Sequence, residues 1–153
     1  MIAYLPGDEL LDQTLAEFLG YFWCRYQGGV VVGQRVVRFL MSSEQFEEAR
    51  VQYGPGGIVQ ATGEEQIEQL AFRAVPPFHA SLDAVAQVER TLFAQRLWET
   101  YLLRLRDVLQ LPVTGLLTAE QNWRLITAEA RARATAAFLL IDSQKPKQQM
   151  LLG

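Results

Sequence analysis

Hydrophobic positions along the chain change period from one half to the other. Near the N-terminus Leu11, Leu15, Phe18 and Leu19 fall on one face at helical spacing, with Asp8 placed to cap and Gly20 to stop, so a helix is predicted over 9–20. An aromatic run, Tyr21-Phe22-Trp23-Cys24-Arg25-Tyr26, leads into Gly28-Gly29. Residues 30–41 are then mostly β-branched or apolar, which favours a pleated surface and predicts a strand. Ser42-Ser43-Glu44 opens a short helix through Arg50, and extended pieces are expected at 51–53 and 58–61, on either side of the turn Gly54-Pro55-Gly56-Gly57. A short helix over 64–72, begun at Thr62 or Gly63, completes this half and ends before Pro76-Pro77.

The second half is helical throughout. Ser81 is the expected N-cap of a helix over 82–93, with Ala84, Val85, Val88 and Leu92 on its apolar side. From 94 to 111, Leu97, Trp98, Tyr101, Leu102, Leu105, Val108 and Leu109 make an apolar stripe broader than one core-facing helix requires. Pro112 stops it. Thr118 caps 119–126, and Thr127 is expected to cap 128–141, leaving 142–153 as a flexible tail. The pattern therefore predicts an α+β fold: one helix-dominated domain over 1–141, with a small sheet from 30–41, 51–53 and 58–61 packed against helices.

Composition narrows the chemistry. The chain has 153 residues, half of them hydrophobic and a fifth charged, which suits one globular domain with its own core. Its net charge of -3 disfavours a general nucleic-acid binder, and a single Cys and a single His leave no Cys/His zinc site and no internal disulfide. Charge is uneven: residues 1–77 hold five basic and ten acidic groups, whereas 78–153 hold nine basic and seven acidic. Neither a basic leader nor an apolar run of spanning length is present, so a cytoplasmic setting with no membrane is expected.

Three segments carry a resemblance. The acidic, leucine-rich stretch Glu9–Trp23 ends in Leu19-Gly20-Tyr21. The stretch Val75-Pro76-Pro77-Phe78-His79-Ala80-Ser81-Leu82-Asp83-Ala84 leads into an apolar helix containing Glu89. The third, Trp123–Ala134, holds Thr127-Ala128 followed by Arg131 and Ala134. In this order they resemble the phage ABA sandwich family of small bacteriophage and prophage proteins. The resemblance implies a layered α-β-α domain and a phage accessory role. His79-Ala80-Ser81 stands where that family has Ser-Thr-Asp, and the last helix begins Ile-Thr-Ala in place of Ala-Thr-Ala.

Candidate chemistry is sparse. His79 is the one general-base candidate, with carboxylates or Ser81 as partners, yet no nucleophile elbow surrounds Ser81, which is already occupied as a cap. Cys24, flanked by Trp23 and Arg25, reads as a buried small hydrophobe. Asp8 and Asp12 share a helix face and Glu44, Glu47 and Glu48 cluster, but neither set has calcium-loop spacing, so no metal and no cofactor are expected. For binding, Trp23, Arg25, Tyr26, His79, Arg124, Arg131 and Arg133 are the candidates, because aromatic faces stack planar groups and guanidiniums hold phosphates. The stripe residues Trp98, Tyr101, Leu102 and Leu105 are expected to form a homo-oligomer interface. The function expected is a non-enzymatic accessory protein that binds a host protein or a small nucleotide-like ligand, in the service of counter-defence. A small hydrolase using His79, or a purely structural oligomer subunit, are the alternatives.

Overall fold

The computed structural model describes residues 6–26, 31–32, 35–54, 56–61, 69–73 and 75–144. The chain is α+β and forms two compact units, one of residues 1–18 and 76–153, the other of residues 19–75. The predicted tail lies outside the described residues apart from 142–144, which belong to the last helix.

The first unit is built from five helices: α1 (Asp8–Phe18) and, later in the chain, α3 (Leu82–Ala94), α4 (Trp98–Val108), α5 (Ala119–Ile126) and α6 (Ala130–Gln144). Helix α6 is the hub and packs against α1, α3 and α4. Its residues Ala134, Ala136, Ala137 and Leu140 are fully buried, and Thr135 and Phe138 nearly so, which means that it is shielded on almost every side. Alanine makes this possible, since a side chain of one carbon lets neighbouring backbones approach closely. Around the hub, Leu11 and Leu15 of α1, Val85, Val88 and Leu92 of α3, and Tyr101 and Leu105 of α4 close the core, with Phe78 sealed beneath the turn before α3.

The caps decide where these helices end. Ser81 accepts from the Ala84 amide, as its position predicts, and Thr118 and Gln121 form a reciprocal capping box. The helix predicted over 94–111 is corrected: α3 runs on to Ala94, and the chain turns before α4 starts at Trp98. Arg96 takes a left-handed φ of 61°, Leu97 N–H bonds back to Leu92 O, and Arg96 N–H bonds to Phe93 O, the two bonds of a Schellman ending. The same ending recurs after α4, with Gln110 at φ 59°. Neither left-handed residue is glycine, which is why the pattern alone did not mark the break. A β-carbon in this region costs roughly 1 kcal/mol. Arg96→Gly is therefore expected to stabilise the protein by about that amount in urea unfolding. Thr127 is not the cap of α6; its hydroxyl instead bonds back to Trp123 O at the end of α5.

The second unit holds β1 (Phe22–Tyr26), β2 (Val31–Val32), β3 (Arg35–Met41), α2 (Ser43–Tyr53), β4 (Ile58–Gln60) and β5 (Gln69–Arg73). Strand β3 is central. It pairs antiparallel with β1 and β2 and parallel with β5, and β1 pairs on with β4. Since β5 overlaps both of the others along β3, β1 and β2 must share its opposite edge. Three expectations are corrected here. The single strand expected over 30–41 is two, β2 and β3, residues 51–53 continue α2, and 69–72, read as helix, belong to β5; the rest of that helix reading lies outside the described residues, and the aromatic run, for which no element was predicted, is β1. A backbone ladder to β3 outweighs the local propensity of 69–73.

Cross-strand register puts Cys24, Phe22, Tyr26 and Met41 beneath α2, where Ala49, Ile58 and Phe46 complete a small apolar cluster. Phe22 meets Phe46 edge-on at 5.3 Å. The turn from α2 into β4 is tight. A β-carbon on Gly57 would sit 2.3 Å from the Tyr53 carbonyl oxygen, so only glycine fits there.

Candidate functional site

Helix α3 turns a complete apolar face, Val85, Val88 and Leu92, to the core of the helical unit. Ala86, Arg90 and Phe93 recur at helical spacing on a neighbouring stripe, and Phe93 remains 66% exposed. The Schellman turn reverses the chain so that Trp98 comes back beside Phe93, with ring centroids 6.0 Å apart and planes inclined at 75°. Tyr101 backs Trp98 from one turn further on, at 5.3 Å. Ala86, Glu89, Arg90, Phe93 and Trp98 together line an open groove of about 490 Å³, a size suited to a small organic ligand.

Charge in this groove is set by what holds Glu89. Its Oε2 accepts from the Tyr101 hydroxyl at 2.6 Å and from Arg133 Nη1 at 3.1 Å. The same guanidinium donates from Nε to Ala128 O at 2.8 Å and from Nη2 to Ile126 O at 2.7 Å, which fixes it against the end of α5 and the start of α6. Glu89 is thus both neutralised and immobilised. Arg90, exposed on the next position, has neither a hydrogen bond nor an ion pair among the described residues. The charge left for a ligand is positive.

Burial and the Glu89 carboxylate push the Tyr101 hydroxyl well above its ordinary 10.0. A phenol whose folded value is raised lends stability that is complete below the unfolded value and lost as pH rises towards the folded one. Stability is accordingly expected to fall above about pH 10, and Tyr101→Phe should flatten that part of a pH–stability curve measured by thermal unfolding.

A second polar cluster surrounds His79. Pro76 and Pro77 set a turn in which the Ala80 and Ser81 amides bond to Pro77 O, and Phe78 is sealed in the core. Asp12, one turn into α1, is 8% exposed and accepts twice from one residue: the His79 amide at 3.0 Å and its Nδ1 at 2.7 Å. An ionised carboxylate only accepts, so Nδ1 carries the proton and Nε2 faces outward. Asp8 Oδ2 stands 3.7 Å from Nε2, while Asp8 Oδ1 is held by Arg131, whose Nη2 donates to Pro6 O at 3.1 Å. Ser81, the hydroxyl expected beside His79, is spent on its cap.

The residues proposed for binding fall in both units. Trp23, Arg25 and Tyr26 share β1 in the sheet unit, but Tyr26 points to the α2 side, against Phe39 and Tyr53, whereas Trp23 and Arg25 alternate to the other face. Arg124 is tied to Leu109 O at 2.7 Å, and Arg131 and Arg133 are engaged as above. Of the interface residues, Tyr101 and Leu105 are buried in the unit's own core, and Trp98 and Leu102 are part-exposed. The broad stripe on α4 therefore serves chiefly α6. Cys24 is fully buried, and that burial pushes its thiol up to about 11, unsuited to a nucleophile. Among the described residues no His, Cys, Asp and Glu group is arranged to hold a metal, and no helix is long and apolar enough to cross a membrane.

Sequence reasoning passed over Arg90 and Phe93, the residues that give the groove its charge and its outer wall. A signal existed: Phe93 stands outside an apolar face already complete without it. The groove also depends on the turn at 95–97, which the pattern had read as helix. Comparison of the chain with protein-family models, with curated proteins and with solved structures gives no match.

Proposed function

We propose that the protein is a non-enzymatic binding module whose α3–α4 groove takes a small, planar, anionic ligand of nucleotide-like chemistry. One observation carries this reading: an edge-on aromatic pair, Phe93 and Trp98, stands beside Arg90, while the adjacent Glu89 is neutralised by Arg133. Rings offer a stacking wall for a base-like group, and the exposed guanidinium offers a bidentate partner for a phosphate or carboxylate. In the phage setting that the sequence resemblance implies, the protein would act in the host cytoplasm and withhold such a ligand from a host defence. Adenosine, guanosine, cytidine and uridine monophosphates, titrated calorimetrically against the full chain, test the reading. Saturable binding of at least one, weakened about tenfold by Arg90→Gln, is expected. Heats no larger than those of inorganic phosphate for all four would sink it.

Hydrolysis through His79 is the second reading, favoured by the Asp12 carboxylate that orients its ring and leaves Nε2 outward. No cap or core bond uses Nε2, so His79→Gln would abolish turnover of a bound ester while leaving binding in the groove intact. Substrate turnover unchanged by that substitution would exclude it.

A further inference from the structure

Helix α3 gives the groove one acceptor as well as one cation. Glu89 and Arg90 are neighbours on its wall, and the Glu89 side chain keeps 12% of its surface exposed. Both groups that hold this carboxylate donate to the same oxygen: the Tyr101 hydroxyl at 2.6 Å and Arg133 Nη1 at 3.1 Å bond to Oε2. The other oxygen, Oε1, accepts from none of the described residues. Among those residues the one side-chain polar atom that is both shielded and unpartnered is Arg38 Nε, in the sheet unit, so Oε1 keeps contact with solvent. For a side chain on the groove wall, that solvent fills the groove.

This oxygen is prepared for one kind of partner. A carboxylate is planar, and two donors on Oε2 leave Oε1 little freedom to turn. Arg133 is itself held by the Ile126 and Ala128 carbonyls, so the clamp on Glu89 is fixed from behind. An ionised carboxylate oxygen accepts and never donates, and an N–H bound to a charged acceptor makes a stronger bond than one bound to a neutral acceptor. Arg133 offsets the charge of Glu89 without occupying Oε1. A planar group stacked on Phe93 and Trp98, with its anion on Arg90, therefore meets an acceptor on the same wall. An amino group on the edge of the ring satisfies that acceptor. A carbonyl oxygen in the same place sets lone pair against lone pair.

We infer that Glu89 Oε1 makes the groove selective for planar ligands that carry an exocyclic amino group. The inference rests on the binding reading given above and adds to it the residue that determines specificity. The clamp also fixes what glutamine would do at this position. A guanidinium has only donors, so the amide must turn its oxygen towards Arg133 and its NH₂ into the groove. Glu89→Gln thus puts a donor where the acceptor stood, and the preference should pass to a ring bearing a carbonyl.

The test titrates the full chain calorimetrically with adenosine, inosine and purine riboside monophosphates. These share ribose, phosphate and ring system, and at one ring carbon bear an amino group, a carbonyl oxygen or a hydrogen. Wild type is expected to bind the adenosine form about tenfold tighter than the purine riboside form, and tighter than the inosine form. Glu89→Gln should bind the inosine form tightest. Wild type that binds the adenosine form no tighter than the purine riboside form would overturn the selectivity, and needs no variant to fold. If Arg90→Gln still weakened all three, the groove's binding role would stand without it. Heats no larger than those of inorganic phosphate for all three ligands would overturn both. An order of affinity that a folded Glu89→Gln leaves unchanged would remove Glu89 as its cause.

Discussion

Replacing Arg133 by Met is expected to cost about 3–5 kcal/mol of unfolding free energy, because it strands a shielded carboxylate without its cation. The Glu89 side chain is 12% exposed and shares Oε2 between Tyr101 and Arg133. Met preserves much of the stem's packing, so the loss would report the charge and the three donated bonds. Two of those go to carbonyls at Ile126 and Ala128, where α5 ends and no glycine closes the turn. The expected partner result is a rescue: Glu89→Gln in the Arg133→Met background should recover part of the loss, since a neutral amide tolerates burial better than an unpaired carboxylate. Urea unfolding followed by far-ultraviolet circular dichroism checks both. A loss under about 1 kcal/mol would mean that the pair behaves as an ordinary surface ion pair. The same variant carries a functional consequence, since an uncompensated Glu89 would oppose an anion in the groove.

The second large effect is expected at Asp12. Asp12→Ala removes the acceptor of the His79 amide and of its ring at once, leaving a part-buried backbone N–H unpaired and freeing the turn that seats Phe78. A loss of about 2–4 kcal/mol follows from the unsatisfied donor and the broken short contact together. Asp12→Asn keeps an oxygen for the amide and should lose roughly half as much. Equilibrium unfolding gives the magnitudes, and hydrogen exchange at the His79 amide tests their cause: protection should fall in Asp12→Ala and largely persist in Asp12→Asn. Equal protection in the two variants would assign the loss elsewhere. His79 thus has a structural task that needs no reaction, clasping α1 to the turn ahead of α3.

Much of this was legible from spacing alone, where local chemistry and global fold agree. Ser81 and Thr118 announce their helices because a hydroxyl two or three residues before an apolar run has one obvious use, and both caps form. The α+β character follows from the change of period between the two halves. What escaped was decided by partners distant in sequence. Residues 22–26 carry no alternation to mark a strand, because both faces are part-buried, Phe22 and Tyr26 towards α2 and Trp23 against Arg38. Residues 69–73 become a strand through pairing with β3, more than thirty positions earlier, which no local window contains. The break before Trp98 hid behind an arginine in a conformation usually left to glycine.

The candidate sites divide in the same way. His79 stood out as a single residue, but the fold alone reveals that Asp12 orients it and that Ser81 is unavailable to it. Trp23 and Arg25 drew notice as an aromatic next to a cation, and register then parts them from Tyr26 and joins them to Arg38. Arg90 gained its meaning from a negative: the acid beside it is already spoken for by Arg133 and Tyr101. Sequence shows which charges exist, and only packing shows which remain available.

Trp98 can report directly on the groove. In a Trp23→Phe/Trp123→Phe background it is the single tryptophan, and it stands at the groove wall beside Phe93. Adenosine monophosphate should quench its fluorescence along a saturable curve, with a dissociation constant of roughly 1 mM or tighter and about tenfold weaker in Arg90→Gln. A linear, unsaturated response, or a curve that Arg90→Gln leaves unchanged, would contradict a groove that binds planar anions.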